Sequence, residues 1–388
     1  MRRVAEVFLV FLQLGLTSFG GPVAHLGYFH EAFVVRRHWL SEDEYGDLVA
    51  LCQFLPGPAS SQVGIAIGRM RAGLAGAVAA WVAFTLPSII LLYAFALGAN
   101  LWSGPYAQGV LHGMKLAALA VVAQAVWQMS LRLTPDWPRR QVALVAAALL
   151  VLFSWTFLPV LIIAAAATIG ATLSAPGPAQ RPSASPPHPA AAMALFLFAF
   201  LLVILPLLAL TGAPAISLVD RFYRTGALVF GGGHVVLPLL ESELVTPGLI
   251  DRDLFIAGYG AAQAVPGPLF SFAFYAGALM KGWPNGVLGG VLALGAIYLP
   301  AFLLVLGALP YWNRLKTVPR LRAGLDMANA ATVGLLLAAL YDPVFTSAVM
   351  RWPDIVVAII ALFALYRGVP PWVIVIISAL AGIGLTFV

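Results

Sequence analysis

Apolar stretches of roughly 17 to 25 residues recur along the whole 388-residue chain, each long enough to cross a bilayer. In lipid, every backbone N–H and C=O must be satisfied within the protein, so only helices and closed barrels span. Runs of this length are helix-sized rather than strand-sized. An all-α polytopic membrane protein is therefore expected. The composition agrees: 9% of residues are charged, against about 25% in soluble domains. The net charge of +6 sits in short loops, where it reports orientation rather than nucleic-acid binding. No small-residue cleavage pattern follows the first apolar run, so no cleavable signal peptide is expected. Cys52 is the only cysteine, which excludes an internal disulfide and a cysteine-based metal cluster.

Two apolar stretches are broken by the same phrase. Gln53-Phe54-Leu55-Pro56-Gly57-Pro58 and Gln263-Ala264-Val265-Pro266-Gly267-Pro268 each place two prolines around a glycine. Proline lacks an N–H and disfavours helical geometry in the residue before it, so no helix continues through either phrase. Broken backbone at membrane depth must line a protein-walled or wet cavity. The breaks are the first place to seek a substrate.

The phrase is one landmark of a longer repeat. Phe230-Gly231-Gly232 lies 211 residues after Phe19-Gly20-Gly21, and the second break lies 210 residues after the first. Gly286, Gly289 and Leu299-Pro300 lie 213 residues after Gly73, Gly76 and Leu86-Pro87. Near-constant spacing over three landmarks reads as an internal duplication of about 170 residues. The expected layout is an N-terminal repeat over 1–173, a Pro/Ala-rich linker over 174–192, a connecting transmembrane helix over 193–211 and a C-terminal repeat over 212–388. Ser41 with Glu44 forms a capping box opening a helix near residue 42, and Asp251 caps the matching helix.

Threading the runs through a bilayer puts all but six of the 21 Lys and Arg residues on one side. The six are Lys115, Arg221, Arg224, Arg252, Lys281 and Arg351. The crowded side is expected to be the cytoplasm, with the N-terminus and the linker. This threading inverts the two repeats relative to each other. Inverted repeats with helices broken at the midplane are the plan of secondary transporters.

The run Thr17-Ser18-Phe19-Gly20-Gly21-Pro22 followed by the first break resembles the chromate ion transporter family, as does Phe230-Gly231-Gly232-Gly233-His234 followed by the second. The resemblance covers nearly the whole chain and matches the long, two-domain members. It implies a multi-pass protein of the cytoplasmic (inner) membrane that exports chromate from the cytoplasm, driven by the proton-motive force, with sulfate as a mimic.

Each candidate residue carries two readings. A new half-helix begins after each Pro-Gly-Pro, so its free N–H groups and positive dipole end offer an anion cradle. Pro56, Gly57 and Pro58 would form one cradle, and Pro266, Gly267 and Pro268 a second, facing one. Ser60, Ser61 and Ser271 would add hydroxyl donors. The bland reading is a kink needed for packing. Gly20, Gly21, Gly231, Gly232 and Gly233 either abut the break of their own half and complete the pocket, or let helices pack closely. Gln53 and Gln263 either donate to an oxyanion without a fixed charge or clamp two helices together. His25, His30, Glu31, His234, Glu241 and Glu243 are the candidates for proton coupling; their bland reading is an interfacial helix with these groups in headgroups or water. Arg36, Arg37, Arg69 and Arg71 would steer a dianion to the cytoplasmic mouth, and Lys281 would serve the opposite mouth; their bland role is topology. The acidic cluster Glu42, Asp43, Glu44 and Asp47 reads as a solvated helix cap. Tryptophans near run ends read as an interfacial belt.

No Walker-type motif appears, so no nucleotide is expected, and neither is any other cofactor. The expected partners are a chromate- or sulfate-like oxyanion, protons and the lipid bilayer, with no nucleic acid; a homodimer is left open. A sulfate transporter or exchanger is the alternative. An intramembrane lipid-phosphate enzyme would need a nucleophile or metal set that the spacing does not supply, so no enzyme is expected. A passive channel would need no coupling groups.

Overall fold

A computed structural model describes residues 1–101, 104–153, 155, 157–173, 189–230, 232–315 and 318–386. Every regular element among them is helical. The first half contributes α1 (Arg2–Thr17), α2 (Gly21–His30), α3 (Glu42–Phe54), α4 (Ala59–Leu101), α5 (Pro105–Leu133), α6 (Trp137–Leu152) and α7 (Leu158–Leu173). After α8 (Pro189–Ala209), the second contributes α9 (Pro214–Leu228), α10 (Val236–Leu240), α11 (Arg252–Ala264), α12 (Phe272–Ala278) and α13 (Gly286–Ala308). The short α14 (Trp312–Leu315) then leads to α15 (Pro319–Ala339), α16 (Thr346–Ala348), α17 (Trp352–Tyr366) and α18 (Pro371–Leu385). Five helical stretches are long and apolar enough to cross a bilayer, namely α4, α5, α8, α13 and α15 with its continuation. This is a polytopic membrane fold.

Local chemistry places the boundaries. At the start of α3, Glu44 N donates to Ser41 Oγ, and Ser41 N donates to Glu44 Oε2 at 2.8 Å. The bonds that Ser41 N and Ser41 Oγ donate to the exposed Glu44 carboxylate hold it below its usual pKa. Asp251 accepts from Asp253 N and Leu254 N at the start of α11. The α4 rod is two helices meeting at Ala72–Gly73, where Gly73 takes a φ of 66°. Most of the linker, 174–188, lies outside the described residues; its last four, 189–192, are instead the first turn of α8, because proline is well tolerated there. Trp137, Trp155, Trp352 and Trp372 are exposed at helix ends, as belt residues are. Trp312 instead packs on Phe54 of α3 and donates to Asp47.

Helix contacts within the two halves come in matched pairs. In the first half α1 packs on α4; in the second α9 packs on α13. Glycine permits both approaches. A Cβ on Gly15 would meet the Phe84 carbonyl oxygen at 2.7 Å, and one on Gly226 would meet the Ile297 carbonyl. The last two helices of each half cross over. α6 and α7 pack on α15, while α17 and α18 pack on α5. The halves are therefore interlocked rather than laid side by side. Small residues suit such seams, because in lipid helix association rests on close packing rather than on water exclusion.

Candidate functional site

Both Pro-Gly-Pro segments are breaks, as the sequence predicts, but each is tied to the other half. Gly57 has a φ of 122° and Gly267 one of 97°, conformations that only glycine adopts without strain. Gly57 N donates to Val229 O at 2.7 Å, and Gly267 N donates to Ser18 O at 2.9 Å. Ser18 and Val229 immediately precede the two Phe-Gly-Gly motifs. The residue before each glycine motif therefore accepts from the break of the opposite half, while Gly233 also lies against Leu269 and Phe270, just past the break of its own half. A buried N–H freed by a helix break needs a partner, and the other half of the chain supplies it.

The hydroxyls expected to face a ligand are also turned to protein partners. Ser61 Oγ lies 3.3 Å from Tyr298 Oη, and Ser271 Oγ lies 2.6 Å from Ser88 Oγ, both pairs buried and both crossing between halves. Ser60 Oγ lies 3.4 Å from His25 Nδ1. Gln62, which the sequence did not single out, donates from Nε2 to Pro56 O at 2.8 Å. These groups brace the breaks. They do not line the cavity described next.

That cavity, of about 450 Å³, gathers Gly20, Gly21, Gln53 and Gly57 from the first half with Gly232, Gly233, His234 and Gln263 from the second. Gly231 lies outside the described residues. Pro56, Pro58, Pro266, Gly267 and Pro268 do not line it. The two cradles are thus not equivalent: only the first break opens onto the space. His234 Nδ1 lies 2.8 Å from Tyr259 Oη. Gln263 Nε2 is buried with no hydrogen-bond partner.

Four polar lining residues were not among the candidates: Gln124, Gln128, Arg132 and Asn329. Three of them stand at four-residue intervals on α5, and so on one face of the helix. That spacing within an apolar run was readable. It was missed because Arg132 was assigned to a loop. Among the described residues, Arg132 is the only formal charge lining the cavity, and no carboxylate lines it.

The other candidates lie elsewhere. Glu31 and Arg36 pair at 2.8 Å on an exposed surface. Arg69 is half-buried near the end of the first part of α4 and lines no cavity with the breaks. His25 is buried away from the cavity. Glu241 and Lys281 share a separate cavity of about 440 Å³ with Arg252 and Asp342. Two of the six cations of the sparse side, Arg252 and Lys281, line this second cavity. Lys115 pairs with Asp253 at 2.9 Å, Arg252 with Asp342 at 3.0 Å, Arg221 and Arg224 with Glu243.

Two segments of the chain, residues 5–171 and 216–383, match the family model described as Chromate transporter. The chain belongs to the chromate transporter family. Among relatives of this family member, a "Probable chromate transport protein" of Synechococcus elongatus is 27% identical over 96% of this chain and 93% of its own length. A "Chromate transport protein" of Cupriavidus metallidurans is 28% identical over 86% of this chain and 81% of its own. Another of that description, from Pseudomonas aeruginosa, is 27% identical over 87% and 80%. No solved structure matches this chromate transporter family member.

Proposed function

We propose that the chain is a secondary transporter that exports chromate from the cytoplasm across the inner membrane, driven by the proton-motive force. The observation that carries this is the cavity between the halves. Glycine motifs from both halves, a helix N-terminus and an arginine converge there, with no carboxylate among the described residues to repel an anion. The reciprocal contacts between the halves support an inverted repeat, the plan in which one pocket is exposed alternately to either side. By the distribution of Lys and Arg, the end bearing Arg132 faces the cytoplasm, as do the N-terminus and the linker. The cavity then stands open for loading. His234 is the titratable group within it and is the coupling candidate this geometry favours.

The test is chromate flux in right-side-out and inverted vesicles, with and without a proton gradient and with sulfate as competitor. Gradient-dependent accumulation in inverted vesicles is the expected result. Sulfate movement without chromate movement would keep the pocket and discard the substrate. No movement of either would refute transport of oxyanions.

A further inference from the structure

The cavity lining has a chemical bias. Its polar side chains are the amides of Gln53, Gln124, Gln128, Gln263 and Asn329, with His234 and Arg132. On α5 the series is graded: Arg132 and Gln128 are exposed toward the mouth, and Gln124 is half-buried further in. Across from them the Gln263 amide nitrogen is buried beside Tyr259 and makes no well-formed hydrogen bond. A buried amide with an N–H left over is a place where a ligand can supply an acceptor. A fully deprotonated tetrahedral dianion presents acceptors only, so every amide N–H can be used on it. An oxyanion that keeps a proton presents an O–H donor as well. Among the described residues no carboxylate is there to take that donor. An amide that turns its oxygen to accept it withdraws its own N–H from the anion.

Resting on the transport reading above, we propose that the α5 ladder selects for full deprotonation: Arg132 captures the anion, and Gln128, Gln124 and the Gln263 amide hold it through donors alone, excluding monohydrogen anions such as hydrogen phosphate. The site does this without a second fixed cation. One guanidinium against a dianion leaves release achievable, whereas a second buried cation would hold the ion more tightly.

The experiment uses the purified full-length protein and radiolabelled sulfate, displaced by selenate, molybdate, phosphate or arsenate at neutral pH. Selenate and molybdate are expected to compete at concentrations close to that of unlabelled sulfate. Phosphate and arsenate are expected to need on the order of 10- to 100-fold more, the range of one charged hydrogen bond lost. Gln128→Glu supplies the missing acceptor and is expected to reverse the order between sulfate and phosphate. Arg132→Lys retains weakened sulfate binding, and Arg132→Gln loses most of it. Phosphate competing as well as sulfate in the unaltered protein would overturn the selectivity while leaving transport standing, and that comparison needs no variant to fold. Sulfate binding unchanged in both Gln128→Glu and Arg132→Gln would remove the ladder from the site. No oxyanion binding at all would overturn the transport reading along with it.

Discussion

Gly57 and Gly267 occupy equivalent sequence positions, yet their surroundings differ. A Cβ on Gly57 would meet Gln62 Nε2 at 2.8 Å, the movable end of a side chain. One on Gly267 would meet Ser88 Oγ at 3.0 Å and the Phe84 carbonyl oxygen at 3.1 Å. Both carry backbone strain of roughly 1–3 kcal/mol once a side chain is added. Gly57→Ala is therefore expected to retain partial chromate flux, and Gly267→Ala to lose more. Gly57→Val and Gly267→Val are expected to abolish flux with protein still present in the membrane; normal flux in either would count against the breaks. The Ser88–Ser271 pair makes a second residue-scale expectation. Ser88→Ala and Ser271→Ala each cost about 1 kcal/mol in thermal unfolding, and the double variant costs less than their sum. Strict additivity would mean that the bond contributes nothing. At this scale the sequence was informative about where the chain breaks and silent about which partners the freed groups take. Proline and glycine declare a break by their own chemistry. Nothing local in Ser271 says that its hydroxyl reaches Ser88 rather than a ligand.

Among the elements, one pairing lacks its mirror image. α11 lies along α5, where a Cβ on Gly260 would meet the Met114 carbonyl oxygen at 2.6 Å, and Lys115 joins Asp253 across the seam. The equivalent pair, α3 and α15, is not packed together in this way, and the cavity opens between Gln53 and Asn329. α3 is instead held by α14, through the Trp312 contacts with Phe54 and Asp47. At the repeat spacing, Ala50 and Met327 correspond to Gly260 and Met114. In a Cys52→Ser background, Ala50→Cys with Met327→Cys is expected to form a disulfide during turnover and arrest transport until reduced, as read by gel shift and vesicle flux. A pair that never links during turnover, or that links without arresting flux, would rule out closure of α3 onto α15. The helix starts at Ser41 and Asp251 were legible, since caps are short-range chemistry. The open seam was not, because a conformation in which one repeat is closed and the other open leaves no mark on either.

For the whole molecule, the two segments that match the family model follow one another along the sequence and interlock in space. The crossing of α6–α7 onto α15 and of α17–α18 onto α5 rests on backbone approaches at Gly170 to Ala323 and at Gly382 to Gly109. Small-residue faces of this kind look alike on every helix, so the sequence did not say which partner each would choose. Cutting the chain within 174–188 is expected to give fragments that fail to accumulate alone but restore membrane protein and flux when produced together. A stable N-terminal fragment would contradict the exchange. The crossing also bears on manufacture. A ribosome releases α5 early, but α18, which covers its Gly109 and Gly113 face, follows it by more than half the chain. Until then, lipid or an insertion factor must occupy that groove. Damage to the segment encoding α18 would thus be felt first in a helix encoded well before it.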